Sequence, residues 1–143
     1  MIRKIVTNEG RLSLPSMEIS DPLAIGKIII DLVDTANEAK KHPIGCLGLA
    51  ANQIGHMKRI VIIWYGNRWM PLINPEVTLI KGPKDYKQEG CLSRPGVHTK
   101  KMRYKKIRVT YQDELGAPWE ERYTGFTARI IQHEVDHLNG IYI

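Results

Sequence analysis

The sequence predicts an α+β fold, with small antiparallel sheets around a C-terminal helix and one helix nearer the N-terminus. Three observations predict it. After Asp21, apolar residues recur at steps near three and four. The stretch "KKIRVTYQD" alternates apolar and polar side chains, and "WEERY" returns after a turn. From Phe126 to Leu138 the helical spacing comes back. A helix, several antiparallel strands and a closing helix make an α+β pattern.

Each element has local reasons. Asp21 can cap the first helix and Pro22 suits its first turn. Ile25, Ile28, Ile29, Leu32 and Ala36 share one face. Lys40 and Lys41 complement the negative end of the helix dipole, and Pro43 stops the helix. A glycine-rich segment, "GCLGLAANQIG", runs from Gly45 to Gly55. "RIVIIWY" reads as a buried strand bounded by Gly66, and "WMPLINP" and "EVTLI" as two short strands. In "KKIRVTYQD", Ile107, Val109 and Tyr111 point one way; Lys106, Arg108 and Thr110 point the other. Asp113 to Gly116 form the turn of a hairpin, and Gly125 breaks its second strand.

A length of 143 residues suits one domain over 1–143, and 43% hydrophobic with 25% charged residues is globular composition. No apolar run is long enough to span a bilayer, and "MIRKIVTNEGRLSLP" lacks the apolar stretch of a secretory signal. The expected location is the cytoplasm, where Cys46 and Cys91 serve as free thiols or metal ligands rather than a disulfide. The net charge of +6 favours contact with nucleic acid, ribosomes or other acidic surfaces. Its densest source is "KKMRYKKIR", Lys100 to Arg108, which also reads as a solvated loop entering a strand.

Chemistry concentrates in "QHEVDHLNG", Gln132 to Gly140. His133 and His137 lie four apart, so both imidazoles leave one face of a helix and can grip one divalent metal. Glu134 is placed to act as general base toward a water held there. Phe126 and Ile130 extend the histidine face, which is therefore expected to be buried. Asp136 either orients His133 or faces water; Gln132 and Asn139 bond to nearby backbone. A third ligand has to come from upstream. Carboxylates and His42, His56 and His98 are available, but a thiolate from Cys46 or Cys91 is the sharper candidate. Spacing alone does not choose between the two.

Three motifs now stand in order: "CLGLAANQ", "EGCLS" and "QHEVDHLNG". Together they resemble the peptide deformylases, from about the first long helix to the end of the chain. The resemblance implies a metal-dependent hydrolase that removes the formyl group from the N-terminal formylmethionine of newly made polypeptides, releasing formate. It implies Cys91, His133 and His137 as metal ligands and Fe²⁺ as the metal, with Zn²⁺, Ni²⁺ or Co²⁺ able to substitute. It implies Glu134 as the proton carrier, with the Gln53 amide and the Leu92 N–H stabilising the oxyanion. Leu47, Gly48 and Gly90 would hold the peptide as an added strand. Phe126 and Ile130 would line the methionine pocket, with His133 at its base. Gly48, Ala50 and Ala51 are small enough to pack against the metal helix. Glu89 is matched in the motif and reads as a supporting carboxylate.

The chain departs from the family pattern in three places. Cys46 stands where the first motif begins with Gly, reshaping the groove and placing a second thiol near the metal. Asn52 stands where Pro is usual and is expected to matter little. Many members also continue past the metal helix, with an extension credited with ribosome docking; short versions occur in phage genomes. The basic run at 100–108 is then the candidate ribosome contact. Two rival readings remain. A metalloprotease of the usual design would need a ligand after His137, and only Leu138 to Ile143 follow. A non-catalytic binding protein would have lost Glu134 or Gln53, and both are present.

Overall fold

The structure, a computed structural model, describes residues 1–41, 45–79 and 81–143. Helix α1 (Glu9–Leu12) is a single turn that sequence periodicity did not reveal; the Asn8 side chain caps it by accepting from the Arg11 N–H at 2.9 Å. Helix α2 (Pro22–Lys40) starts as expected, with the Asp21 side chain accepting from the Leu23 N–H at 3.2 Å. Its stopper, Pro43, lies outside the described residues.

A five-stranded antiparallel sheet follows, in the order β1-β2-β3-β6-β7. Its strands are β1 (Gly48–Ala50), β2 (Ile60–Tyr65), β3 (Arg68–Leu79), β6 (Lys106–Gln112) and β7 (Pro118–Thr124). A separate two-stranded sheet joins β4 (Lys84–Gly90) to β5 (His98–Tyr104). The chain closes with α3 (Gly125–Leu138).

The run "IVIIWY" is apolar throughout because β2 is covered on both faces. Ile60 and Ile62 join a cluster with Ile25, Ile28 and Leu32 of α2. Val61 and Ile63 join the opposite cluster with Ala128, Ile131 and Val135 of α3. The large sheet is therefore the middle layer between α2 and α3, and the hydrophobic effect works on both of its faces.

Two expectations are corrected here. The segments read as two strands form the single long β3, irregular in register between Ile73 and Glu76. Asn74 makes this possible. It adopts φ 51°, accepts from the Ile19 N–H at 3.1 Å and donates to the Ile19 carbonyl at 2.9 Å. A short amide side chain tolerates that left-handed backbone, so the ladder bulges instead of ending. The basic run is also no loop. It forms most of β5 and the start of β6, and its Arg103 is buried. The hairpin of β6 and β7 is as expected, with Ile107, Val109 and Tyr111 buried and Lys106 exposed.

Candidate active site

Helix α3 forms one wall of the site. Arg129, His133 and His137 follow one another at steps of four along one side of it. The His133 and His137 Nε2 atoms are 3.2 Å apart. Cys91, immediately after β4, brings its Sγ to 3.3 Å from His137 Nε2, and all three donor atoms lie within 4.8 Å of one another. Among the described residues this is the one cluster of Cys, His and carboxylate groups so arranged. Cys46 lies outside it. Burial first, and the Glu134 charge second, push the Cys46 thiol up to about 12, and it donates to the Gly48 carbonyl at 3.3 Å. A thiol so protonated is a poor ligand.

The donor set fits a divalent transition metal. A thiolate and two imidazoles offer three lone pairs to one point, and such sites leave a further position open. Glu89 orients His133 for this purpose: its Nδ1 is 2.8 Å from Glu89 Oε1, so Nδ1 donates there and Nε2 is the nitrogen that would give its lone pair to a metal. Burial and the neighbouring His133 depress the His137 pKa, keeping it neutral.

Glu89 sits in a buried cage of cations. Arg103 donates to it twice at 3.0 Å, and Arg129 once at 2.5 Å. Burial alone would raise its pKa; the hydrogen bonds from His133 and Arg103 override that and hold it down at about 2. Arg103 also bonds Asp136. Asp136, 22% exposed, makes no hydrogen bond to His133 among the described residues; it anchors the arginine that grips Glu89.

Glu134 has the opposite environment. It is buried, and its Oε2 has no hydrogen-bond partner among the described residues. Burial pushes its pKa up to about 7, with Glu89 adding to the rise and His133 opposing it. Gly48 makes room for it: a Cβ there would stand 3.0 Å from Glu134 and 2.9 Å from Ile130. A lone buried carboxylate near neutrality can take a proton and return it.

Gln53 is locked in orientation. The Ala50 N–H donates to its Oε1 at 2.9 Å, so its Nε2 faces Ser93 Oγ at 3.1 Å and Cys91 Sγ at 3.4 Å. The Leu92 N–H finds no acceptor among the described residues. Both donors stand at the wall of a cavity of about 460 Å³, lined also by Leu47, Gly48, Gly90, Phe126 and Ile130.

That cavity corrects the expectation that the whole histidine face is buried. Phe126 is 64% exposed and Ile130 half-buried, because the outer turn of that face borders open space. The Leu47 carbonyl already accepts from the Trp64 N–H at 2.9 Å, which ties this end of the groove to β2. Gly90 does lie against something: a Cβ there would be 3.3 Å from the His98 ring.

Sequence reasoning missed several parts. Asn52, expected to matter little, is buried and donates to the His137 carbonyl at 2.7 Å, a bond that the usual proline cannot make. Gln132 reaches beyond its own helix to the backbone N–H and carbonyl of Tyr104, at 3.0 and 2.9 Å, and Asn139 accepts from Arg59 at 3.0 Å. The partners of Arg103, Arg129 and Asn52 lie far along the chain and left no local signal.

A fold and a Cys-His-His cluster of this kind, with an unpartnered carboxylate beside it, define a metal-dependent hydrolase. The family model for polypeptide deformylase matches residues 2–143, and the chain belongs to that family. A peptide deformylase of Clostridium beijerinckii is 45% identical over 117 residues, 81% of this chain and 82% of that one. The crystal structure of peptide deformylase from Thermotoga maritima matches with a TM-score of 0.90 at 32% identity, covering 99% of this chain and 94% of that one. The enzyme of the Vibrio parahaemolyticus bacteriophage VP16T, solved in complex with actinonin, gives 0.87 at 32% identity, covering 98% and 99%.

Proposed function

We propose that residues 1–143 act as one catalytic domain that hydrolyses the formyl amide of N-formylmethionyl peptides and nascent chains. The observation that carries this reading is the buried, unpartnered Glu134 Oε2 beside three converging donors. Cys91, His133 and His137 would hold Fe²⁺, with Zn²⁺, Ni²⁺ or Co²⁺ as substitutes. When bound, the metal makes water more acidic and polarises the formyl oxygen.

The chain's own groups do the rest. Glu134 takes a proton from the attacking water, whose oxygen bonds to the formyl carbon. The Gln53 Nε2–H and the Leu92 N–H donate to the formyl oxygen as its charge develops. The C–N bond breaks, Glu134 gives its proton to the departing amine, and formate leaves.

The peptide would lie between two unpaired strand edges. Among the described residues β1 ends the large sheet and β4 pairs with β5 alone, and Gly48 and Gly90 from these strands both line the cavity. An extended chain between them can add main-chain hydrogen bonds on either side. Leu47 contributes its side chain. Phe126 and Ile130 would receive the methionine side chain.

No helix of the described residues is long and apolar enough to cross a membrane; the proposed location is the cytoplasm, beside the ribosome. Lys100, Lys105 and Lys106 are exposed, so the run at 100–108 would supply salt-dependent attraction to ribosomal RNA. The deciding experiment is formate release from formyl-Met-Ala-Ser by the iron-loaded protein prepared without oxygen. Release is expected there, with no cleavage of an unformylated peptide at internal bonds; the reverse pattern identifies a protease.

A further inference from the structure

Arg129 takes no part in the chemistry above, yet it is 5% exposed and both terminal nitrogens of its guanidinium are committed. Nη1 donates to Glu89 Oε2 at 2.5 Å and to the Lys101 carbonyl at 3.1 Å. Nη2 donates to Asp85 Oδ1 at 2.5 Å and to the Asp85 carbonyl at 3.0 Å. Asp85 and Glu89 belong to β4 and Lys101 to β5. One side chain of α3 thus binds both strands of the small sheet.

Gln132 of α3 also bonds the Tyr104 backbone at the far end of β5, but apolar packing adds little to the small sheet. Among the described residues, its one side chain packed against either apolar cluster is Tyr104; Leu92 joins from the connection after β4. Burial of apolar surface, which fixes the five-stranded sheet between two helices, does not fix the hairpin. Charged groups do: Asp85, Glu89 and Arg103 on the hairpin meet Arg129, His133 and Asp136 on α3. The metal ligands straddle this boundary. His133 and His137 ride on α3, while Cys91 rides on the end of β4.

We infer that Arg129 is a positioning residue of the metal centre, clasping the β4–β5 hairpin to α3 and so setting where Cys91 meets the two histidines. The inference rests on the reading of Cys91, His133 and His137 as ligands. A planar fork is suited to the task, because it engages two carboxylates and two carbonyls in fixed directions; a lysine offers only a point charge. Removing the fork leaves the buried Glu89 with Arg103 and His133 alone, and takes away the bonds that hold Asp85 and Lys101 to the helix.

The test uses the full chain loaded with Co²⁺, whose thiolate charge-transfer absorption reports the bond to Cys91. Release to a chelator is followed at that absorption. Partners behind metal ligands typically change affinity by about 10–100-fold, and Arg129→Met is expected to speed release within that range. Arg129→Lys should fall between it and the unaltered protein. Asp85→Asn, a milder change at a half-exposed site, should also speed release and serves if Arg129→Met does not fold. Ile28→Ala, which loosens the far core without touching the hairpin, should release cobalt at the normal rate. Normal release from both Arg129→Met and Asp85→Asn overturns the inference. So does release from Ile28→Ala as fast as from Arg129→Met, since general loosening then explains the effect. Absence of the absorption in the unaltered chain instead removes the ligand assignment itself.

Discussion

Glu89 Oε1 and His133 Nδ1 are 2.8 Å apart, and through that contact a strand of the small sheet orients a residue on α3. Glu89→Gln should keep the fold and weaken metal retention by about 10–100-fold. The check is chelator competition at neutral pH. Retention equal to that of the unaltered protein would remove Glu89 from any role in the centre.

The same carboxylate sets an acid limit. Its folded pKa of about 2 lies below the ordinary 4.5, so its stabilisation is complete above about pH 4.5 and is lost as pH falls toward 2. The hairpin should loosen across that interval in the metal-free protein. Hydrogen exchange of the β4 and β5 amides, compared with those of β2, reads this directly. Equal protection of the three strands down to pH 3 would contradict it.

Glu134 carries the opposite sign. Its pKa is raised to about 7 against an ordinary 4.5, so its ionisation costs stability as pH rises through that window. Glu134→Ala should lose about 10²–10⁴-fold in turnover while keeping its metal. Glu134→Gln should be more heat-stable than the unaltered metal-free protein at pH 8, with the difference shrinking by pH 5. Near-full turnover in Glu134→Ala would show that another group moves the proton.

Cys91→Ser should abolish tight metal binding, whereas Cys46→Ser should retain it. Metal analysis after gel filtration distinguishes them. Cys46 sits at the Gly48 carbonyl, on the edge proposed for the peptide, so Cys46→Gly should alter KM more than kcat. The opposite split would place Cys46 in the chemistry.

Asn52→Ala removes a 2.7 Å bond to the His137 carbonyl and leaves that acceptor without this donor. A loss of about 1–3 kcal/mol is expected for a buried group so treated. Thermal or denaturant unfolding of the metal-free protein measures it. A change near zero would return Asn52 to the minor role that its sequence position suggested.

The sequence made the metal helix and the β6–β7 hairpin legible because periodicity is local. His133, Glu134 and His137 carry their meaning within five positions, and Ile107, Val109 and Tyr111 within five more. Cys91 was legible only through a family motif, since no local pattern separates it from Cys46. The cage around Glu89 was not legible at all. Arg103 and Arg129 look like any other basic residues until the fold brings them to one carboxylate from 14 and 40 positions away. β3 was divided wrongly for a similar reason: the bonds that let it bend around Asn74 come from Ile19, 55 positions earlier.

The two unpaired edges that flank the cavity also bear on solubility. An exposed strand edge can pair with the edge of a neighbouring molecule and start a growing aggregate. Here β1 offers only three residues, and β4 carries exposed Lys84 and Lys87. Nearest the site, Gly48 of β1 and Gln88, Glu89 and Gly90 of β4 line the recess. A three-residue edge and a lysine-bearing edge each disfavour pairing between copies, so the openings proposed for a newly made N-terminus carry their own protection against aggregation.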